Sequence, residues 1–200
     1  MNGRLGAWWV FLLLLTVSPA HGQVIEYMSN GMKYQTLTRS GVTIIFTHLP
    51  VRIHEYAVIQ AAISNGSDSA YVIRPDDFSY QRTDSAVFRA VSSKTIIDML
   101  MQKGNSSDVI KLVTTYEAGV YGNPHFKSNN GYEARRQAAL AMFGTKMKAA
   151  AANAVALGQT RLKAGDSTDG AVFFASEGKL LTGGRLVVRT NTDLFEFNLD

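Results

Sequence analysis

Cysteine is absent from this 200-residue chain. That excludes a disulfide framework, a thiolate zinc site, a cysteine nucleophile and a lipid-anchored cysteine. Tryptophan occurs only at Trp8 and Trp9, and histidine only four times. No Gly-x-Ser-x-Gly elbow, Walker loop, Gly-x-Gly-x-x-Gly fingerprint or His-Glu-x-x-His helix occurs, so no catalytic or cofactor-binding residue can be named. Charge of one sign is also scarce: 20 Lys and Arg stand against 16 Asp and Glu, a formal +4. So mild an excess argues neither for nor against nucleic acid by itself. Only one apolar run stands out, Ala7 to Val17, and it is shorter than the roughly 20 residues of a spanning helix.

What is present is sufficient for a globular core, since apolar residues make up 46%. Residues 1–22 have the layout of an export signal: Arg4, the apolar run, a break at Ser18-Pro19, then small residues at Ala20 and Gly22. Cleavage is expected before Gln23, leaving a periplasmic or extracellular chain; an uncleaved N-terminal anchor is the other reading. Residues 23–200 lose Arg4 and no acid, so their formal charge is +3. An exported domain without cysteine fits a bacterial envelope better than an animal secretory route.

Residues 23–200 are expected to fold as one domain. The early part reads as strands. Val42 to His48 is β-branched, with Pro50 closing it, and Tyr56 to Ile63 is apolar on both faces. Asn65 to Asp68 is a turn, Tyr71 to Ile73 resumes, and Pro75-Asp76-Asp77 leads into Phe78 to Tyr80. The middle, about residues 85–165, reads as helical. Ser92 or Ser93 caps a first helix ending before Gly104. Ser107 caps a second one through Tyr116, whose β-branched residues leave a strand reading open. After a loop from Gly119 to Gly131, a long Ala-rich helix is expected over 132–163, with Leu140, Phe143, Met147, Ala151, Ala154 and Leu157 in one stripe. Strands then return at Ala171 to Ala175, Arg185 to Thr190 and Asp193 to Leu199, the last two joined at Asn191-Thr192.

The run Tyr56 to Ser67, ending in Asn65-Gly66-Ser67, and the element Ile73-Arg74-Pro75-Asp76-Asp77-Phe78 resemble exported bacterial immunoglobulin-like domains. There a strand ends in Asn-x-Ser and the next carries (I/V)-x-P-x-x-F. Leu162 to Phe174 is similar to the segment before the closing hairpin of such domains, with Ala164 in place of the usual proline. The resemblance implies an α+β chain, mainly β: an immunoglobulin-like β-sandwich of about seven strands with two or three helices inserted between early and late strands. It carries no catalytic residues.

His48, His54 and Glu55 lie close together, but their spacing suits a metal on neither one strand face nor one helix face. They read as strand-end residues. Asp166 to Gly170 lacks the alternate acids and closing Glu of a calcium loop, and reads as a turn. No metal and no cofactor is therefore expected. The helical block carries the chemistry that remains. Residues 132–163 hold Arg135, Arg136, Lys146, Lys148, Arg161 and Lys163 against Glu133, a local +5. Tyr116, Tyr121, Phe126 and Tyr132 cluster beside them. Arg135, Arg136, Lys146 and Lys148, with these four aromatics, are the expected interaction surface. The expected role is a non-catalytic exported module that binds an envelope protein or an anionic surface polymer, with contact to a membrane surface as a further option. The second reading is an envelope hydrolase or small-ligand-binding protein with a pocket between insertion and sheet. Nucleic acid is not expected as a partner.

Overall fold

In the computed structural model of the chain, residues 22–126 and 130–199 are described. Apart from Gly22, the expected export signal lies outside the described residues. Among them no helix is long and apolar enough to cross a membrane.

The chain is mainly β, with an α insertion. Eleven strands occur among the described residues where the sequence led us to expect about seven. They are β1 (Ile25–Ser29), β2 (Met32–Arg39), β3 (Val42–Ile53), β4 (Tyr56–Asn65), β5 (Tyr71–Ile73), β6 (Phe78–Gln81), β7 (Val87–Val91), β8 (Thr160–Leu162), β9 (Ser167–Ala175), β10 (Arg185–Arg189) and β11 (Leu194–Asn198). Between β7 and β8 lie four helices, α1 (Ser93–Gln102), α2 (Ser106–Gly122), α3 (Tyr132–Leu140) and α4 (Gly144–Val155). Nine strands form one continuous antiparallel sheet in the order β1-β2-β3-β4-β9-β7-β6-β10-β11, and β5 pairs with β8 separately.

The sheet curls until its far edge returns over its beginning. Gln35 on β2 donates to the Asn198 carbonyl on β11 at 2.7 Å, Ser40 donates to Asp193 at 2.8 Å, and the Phe46 and Phe197 rings meet at 4.8 Å. Curling is forced by burial: alternate residues of β3, β4, β9, β10 and β11 point to one side and are apolar, so the two halves close over each other. Ile44, Phe46, Ile59, Ile63, Phe174 and Phe195 lie in that interior.

β4 and β9 occupy the middle and are buried on both faces. Ala57, Ile59, Ala61 and Ile63 turn inward, while Tyr56 and Val58 turn to the helices together with Phe173 of β9. This agrees with the two-sided apolar character of Tyr56 to Ile63. The helical layer covers that outer face through Ile96, Leu100, Leu112, Tyr116, Ala152 and Val155.

Several boundaries differ from the sequence expectation. β3 runs past Pro50 to Ile53, because the proline, which has no N–H to donate, falls where the pairing with β4 is interrupted between His48 and Arg52. Val87–Val91, assigned to the helical block, is a strand pairing with both β6 and β9. Asp169 and Gly170, read as a turn, lie inside β9 opposite Ala62 and Ala61. The second helix is capped by Asn105 rather than Ser107 and stays helical to Gly122. The long helix over 132–163 is two helices and a strand. Gly144 takes a left-handed φ of +61°, which turns the chain between α3 and α4. After Val155 the chain becomes extended, and Leu157 donates its N–H to the Ala171 carbonyl at 2.9 Å. The Asn191-Thr192 hairpin is present as expected, with Arg189 opposite Leu194.

His48 on β3 gives the fold a pH dependence. Burial, with a smaller contribution from the nearby Lys33 charge, lowers its pKa from 6.5 to about 4. The unfolded chain therefore binds a proton that the folded chain refuses between those values. Stability is present above pH ~6.5 and falls as pH drops toward ~4, by at most about 1.4 kcal/mol per pH unit. Urea unfolding across that window should show the slope, and His48→Gln should flatten it.

Candidate functional site

The helical layer has two features that can meet another molecule: a corner between α3 and α4, and a polar cleft where α3 and α4 approach β9. Both follow from the break at Gly144.

At the corner, the stripe expected to be buried points outward. Leu140 and Met142 are exposed, and Phe143, the residue preceding α4, is 87% exposed. After the turn, Ala152 and the run Ala154 to Leu157 at the far end are the buried ones. Beside the corner runs an apolar groove of about 240 Å³ between α2, α3 and α4, with Ile110, Leu140 and Met147 on its sides.

The cations expected to form the surface have separate fates. Arg135 is half-buried and donates to the backbone carbonyls of Asn130 and, at 3.3 Å, Ala154. Arg136 is held by Glu117, with Glu133 3.8 Å away. Lys148 donates to the Gly104 carbonyl at 2.8 Å, beyond the end of α1, where orphan carbonyls favour a cation. Lys146 is exposed next to the corner.

The aromatics separate likewise. Tyr116, Phe126 and Tyr132 are buried; Tyr121 is exposed, with its hydroxyl 2.8 Å from Glu133. Phe126 packs on Tyr34, whose hydroxyl donates to the Gly119 carbonyl at 3.1 Å. Tyr116 and Tyr132 meet edge-on at 5.2 Å, and Tyr132 donates to Glu117 at 2.9 Å. Burial raises the pKa of both phenols, and the acceptor carboxylates, Asp169 for Tyr116 and Glu117 for Tyr132, raise them further.

The cleft was not visible in the sequence. Its centre is Asp169, which is 4% exposed and points from β9 toward the helices. One carboxylate oxygen accepts a hydrogen bond from the Tyr116 hydroxyl. The other accepts from the Asn130 side-chain amide at 2.8 Å, which also reaches the Asp169 carbonyl at 2.8 Å. Ser93, Arg135, Asn153 and Thr160 complete a cleft of about 250 Å³. An acid on the same strand face as Ala171 and Phe173 is the one sequence signal that points to it. Of the two histidines considered as ligands, His48 lines a different cavity, near Phe46 and Leu181, and His54 stands 3.2 Å from Asp108.

No protein-family model and no curated protein matches the chain. Among solved structures, the yjhA protein from Bacillus subtilis is similar at a TM-score of 0.37 and 10% identity, over 88% of this chain and 96% of that one. So distant a likeness carries no argument about function.

Proposed function

We propose that this protein is an exported, non-catalytic interaction module that docks on the anionic lipid surface of the cell envelope through the corner between α3 and α4. The observation that carries the reading is the exposure of Leu140, Met142 and Phe143 at one turn, with Lys146 beside them. An exposed aromatic among aliphatic side chains gains by entering the acyl boundary, and a neighbouring lysine meets the headgroup phosphate. A hydrated anionic polymer would attract the lysine but leave the three apolar side chains without a partner, so lipid is favoured over polymer. Export is part of the proposal and rests on the signal-like residues 1–22. The proposal extends to the fold: the curled sheet is an immunoglobulin-like sandwich. It is supported by the facing antiparallel halves and by Ile73 and Phe78, both fully buried on either side of the Pro75–Asp77 turn.

Co-sedimentation with vesicles tests the docking. The purified protein should pellet with vesicles containing anionic lipid and much less with zwitterionic ones. Phe143→Ser should weaken binding by about tenfold or more, the loss of one buried aromatic side chain, while leaving the unfolding midpoint unchanged. Lys146→Gln should reduce only the salt-sensitive part. Failure of the unmodified protein to pellet with anionic vesicles overturns the proposal.

A further inference from the structure

We infer that the Asp169 cleft is a binding site for a hydroxyl-rich small ligand of monosaccharide size. The inference is independent of the docking corner.

Asp169 and Arg135 line the same cleft, yet form no ion pair with each other among the described residues. Each is held in place by groups other than the opposite charge. Tyr116 and Asn130 fix the carboxylate, and the Asn130 and Ala154 carbonyls fix the guanidinium. A carboxylate offers about four lone-pair positions and a guanidinium five N–H donors. Among the described residues two of each are used, so both retain capacity. Around them stand an amide at Asn153 and hydroxyls at Ser93 and Thr160.

This set is acceptor and donor together, without a net charge. A purely anionic ligand would meet the Asp169 carboxylate, and a purely cationic one the Arg135 guanidinium. A hydroxyl both donates and accepts, so a polyol can donate to Asp169 and accept from Arg135 and Asn153. Hydrogen bonds to charged groups are stronger than those between neutral groups and are the usual source of orientation in a small polar site. The volume of about 250 Å³ admits one sugar ring and little more. The buried carboxylate is positioned by neutral donors before any ligand arrives, which lowers the ordering cost of binding.

The test is an amide-resolved NMR titration of the purified protein with glucose, methyl β-glucoside and alanine. Saturable shifts confined to residues around Asn130, Arg135, Asn153 and Asp169 are expected with the sugars. Binding of free glucose alone would identify a soluble sugar as the ligand. Binding of the methyl glycoside as well would identify the terminal residue of a glycan; either supports the site. Arg135→Gln should weaken binding by about tenfold, the loss of one charge-assisted hydrogen bond. Asn153→Trp, at an exposed position of α4, should fill the cleft and abolish the shifts with the fold intact. No saturable shift with either sugar overturns the inference. So do binding of alanine alone, and sugar shifts that persist in Asn153→Trp.

Discussion

Gly170→Ala is expected to destabilise the protein by about 3 kcal/mol, at the upper end of overpacking costs. A Cβ at this position would stand 2.4 Å from the Leu157 Cα and 2.6 Å from its nitrogen. Both are backbone atoms, so no rotamer change relieves the contact. The extended segment after α4 lies directly on β9 here, bridged to Ala171 by Ala156 and hydrogen-bonded through Leu157. An alanine must push that segment away, and with it the buried end of α4. With an m-value of about 2 kcal/mol/M, the urea midpoint should fall by about 1.5 M. Gly158→Ala is the control: a Cβ there meets nothing within 4 Å, and the position has no left-handed φ. Its midpoint should stay or rise slightly, through loss of unfolded-state entropy. Equal behaviour of the two variants would mean that the segment is not held against the strand.

The second large effect is at Asp169. Asp169→Ala strands the Tyr116 hydroxyl in a fully buried position and takes the carboxylate acceptor from the Asn130 amide, which keeps the Asp169 carbonyl. A stranded buried group costs about 1–3 kcal/mol and the amide loses a further hydrogen bond of about 1 kcal/mol, so a loss of about 3 kcal/mol is expected. Tyr116→Phe leaves the carboxylate short of one donor and should cost about 2 kcal/mol. The double variant should lose clearly less than the sum, because both changes remove the same hydrogen bond. Additive losses in the unfolding cycle would show that the two side chains do not interact. This network ties α2 and the segment before α3 to the middle of the sheet. It therefore sets the orientation of the helical layer as well as the floor of the cleft.

Much of the element pattern was legible in the sequence. The alternation in the closing hairpin, the turn at Asn65 to Asp68 and the Ser92 cap are local signals, decided within a few residues. Ser92 accepts from the Thr95 N–H at 3.2 Å, as a capping serine should. The two-sided apolar run of β4 likewise announced a central strand.

Several of the differences share one cause: a deciding partner lay far away in sequence. Val87–Val91 is short, and it is a strand through pairing with β6 just before it and with β9, whose residues follow some 80 positions later. Gly119, read as the start of a loop, lies inside α2, where a side chain would meet the buried Gln60 Oε1 on β4, 1.8 Å away, so the glycine serves close packing and not a turn. A glycine chosen for close packing and a glycine chosen for a turn look the same in one sequence. The Ala-rich stretch 132–163 has no proline and good helix propensity throughout, yet propensity alone cannot hold it straight when the chain must return to β9 at Leu157.

The candidate residues divide along the same line. Composition identified the helical block as the place where cations and aromatics concentrate, and that follows from counting. It did not separate aromatics that fill a core from those that meet solvent. Tyr116, Phe126 and Tyr132 are inside because they pack on the sheet and on one another, and Phe143 is outside because it sits at the turn between α3 and α4.

The sequence by itself determined that the chain is α+β with mostly β, that no cysteine chemistry is available to it, and that helices stand between early and late strands. These are properties of composition and short-range periodicity. The tertiary structure alone decided the curl of the nine-stranded sheet, the exposed corner and the meeting of Asp169 with Tyr116, Asn130 and Arg135. Each of those depends on contacts between residues tens of positions apart, whose free energies are set by burial and closure rather than by any local preference.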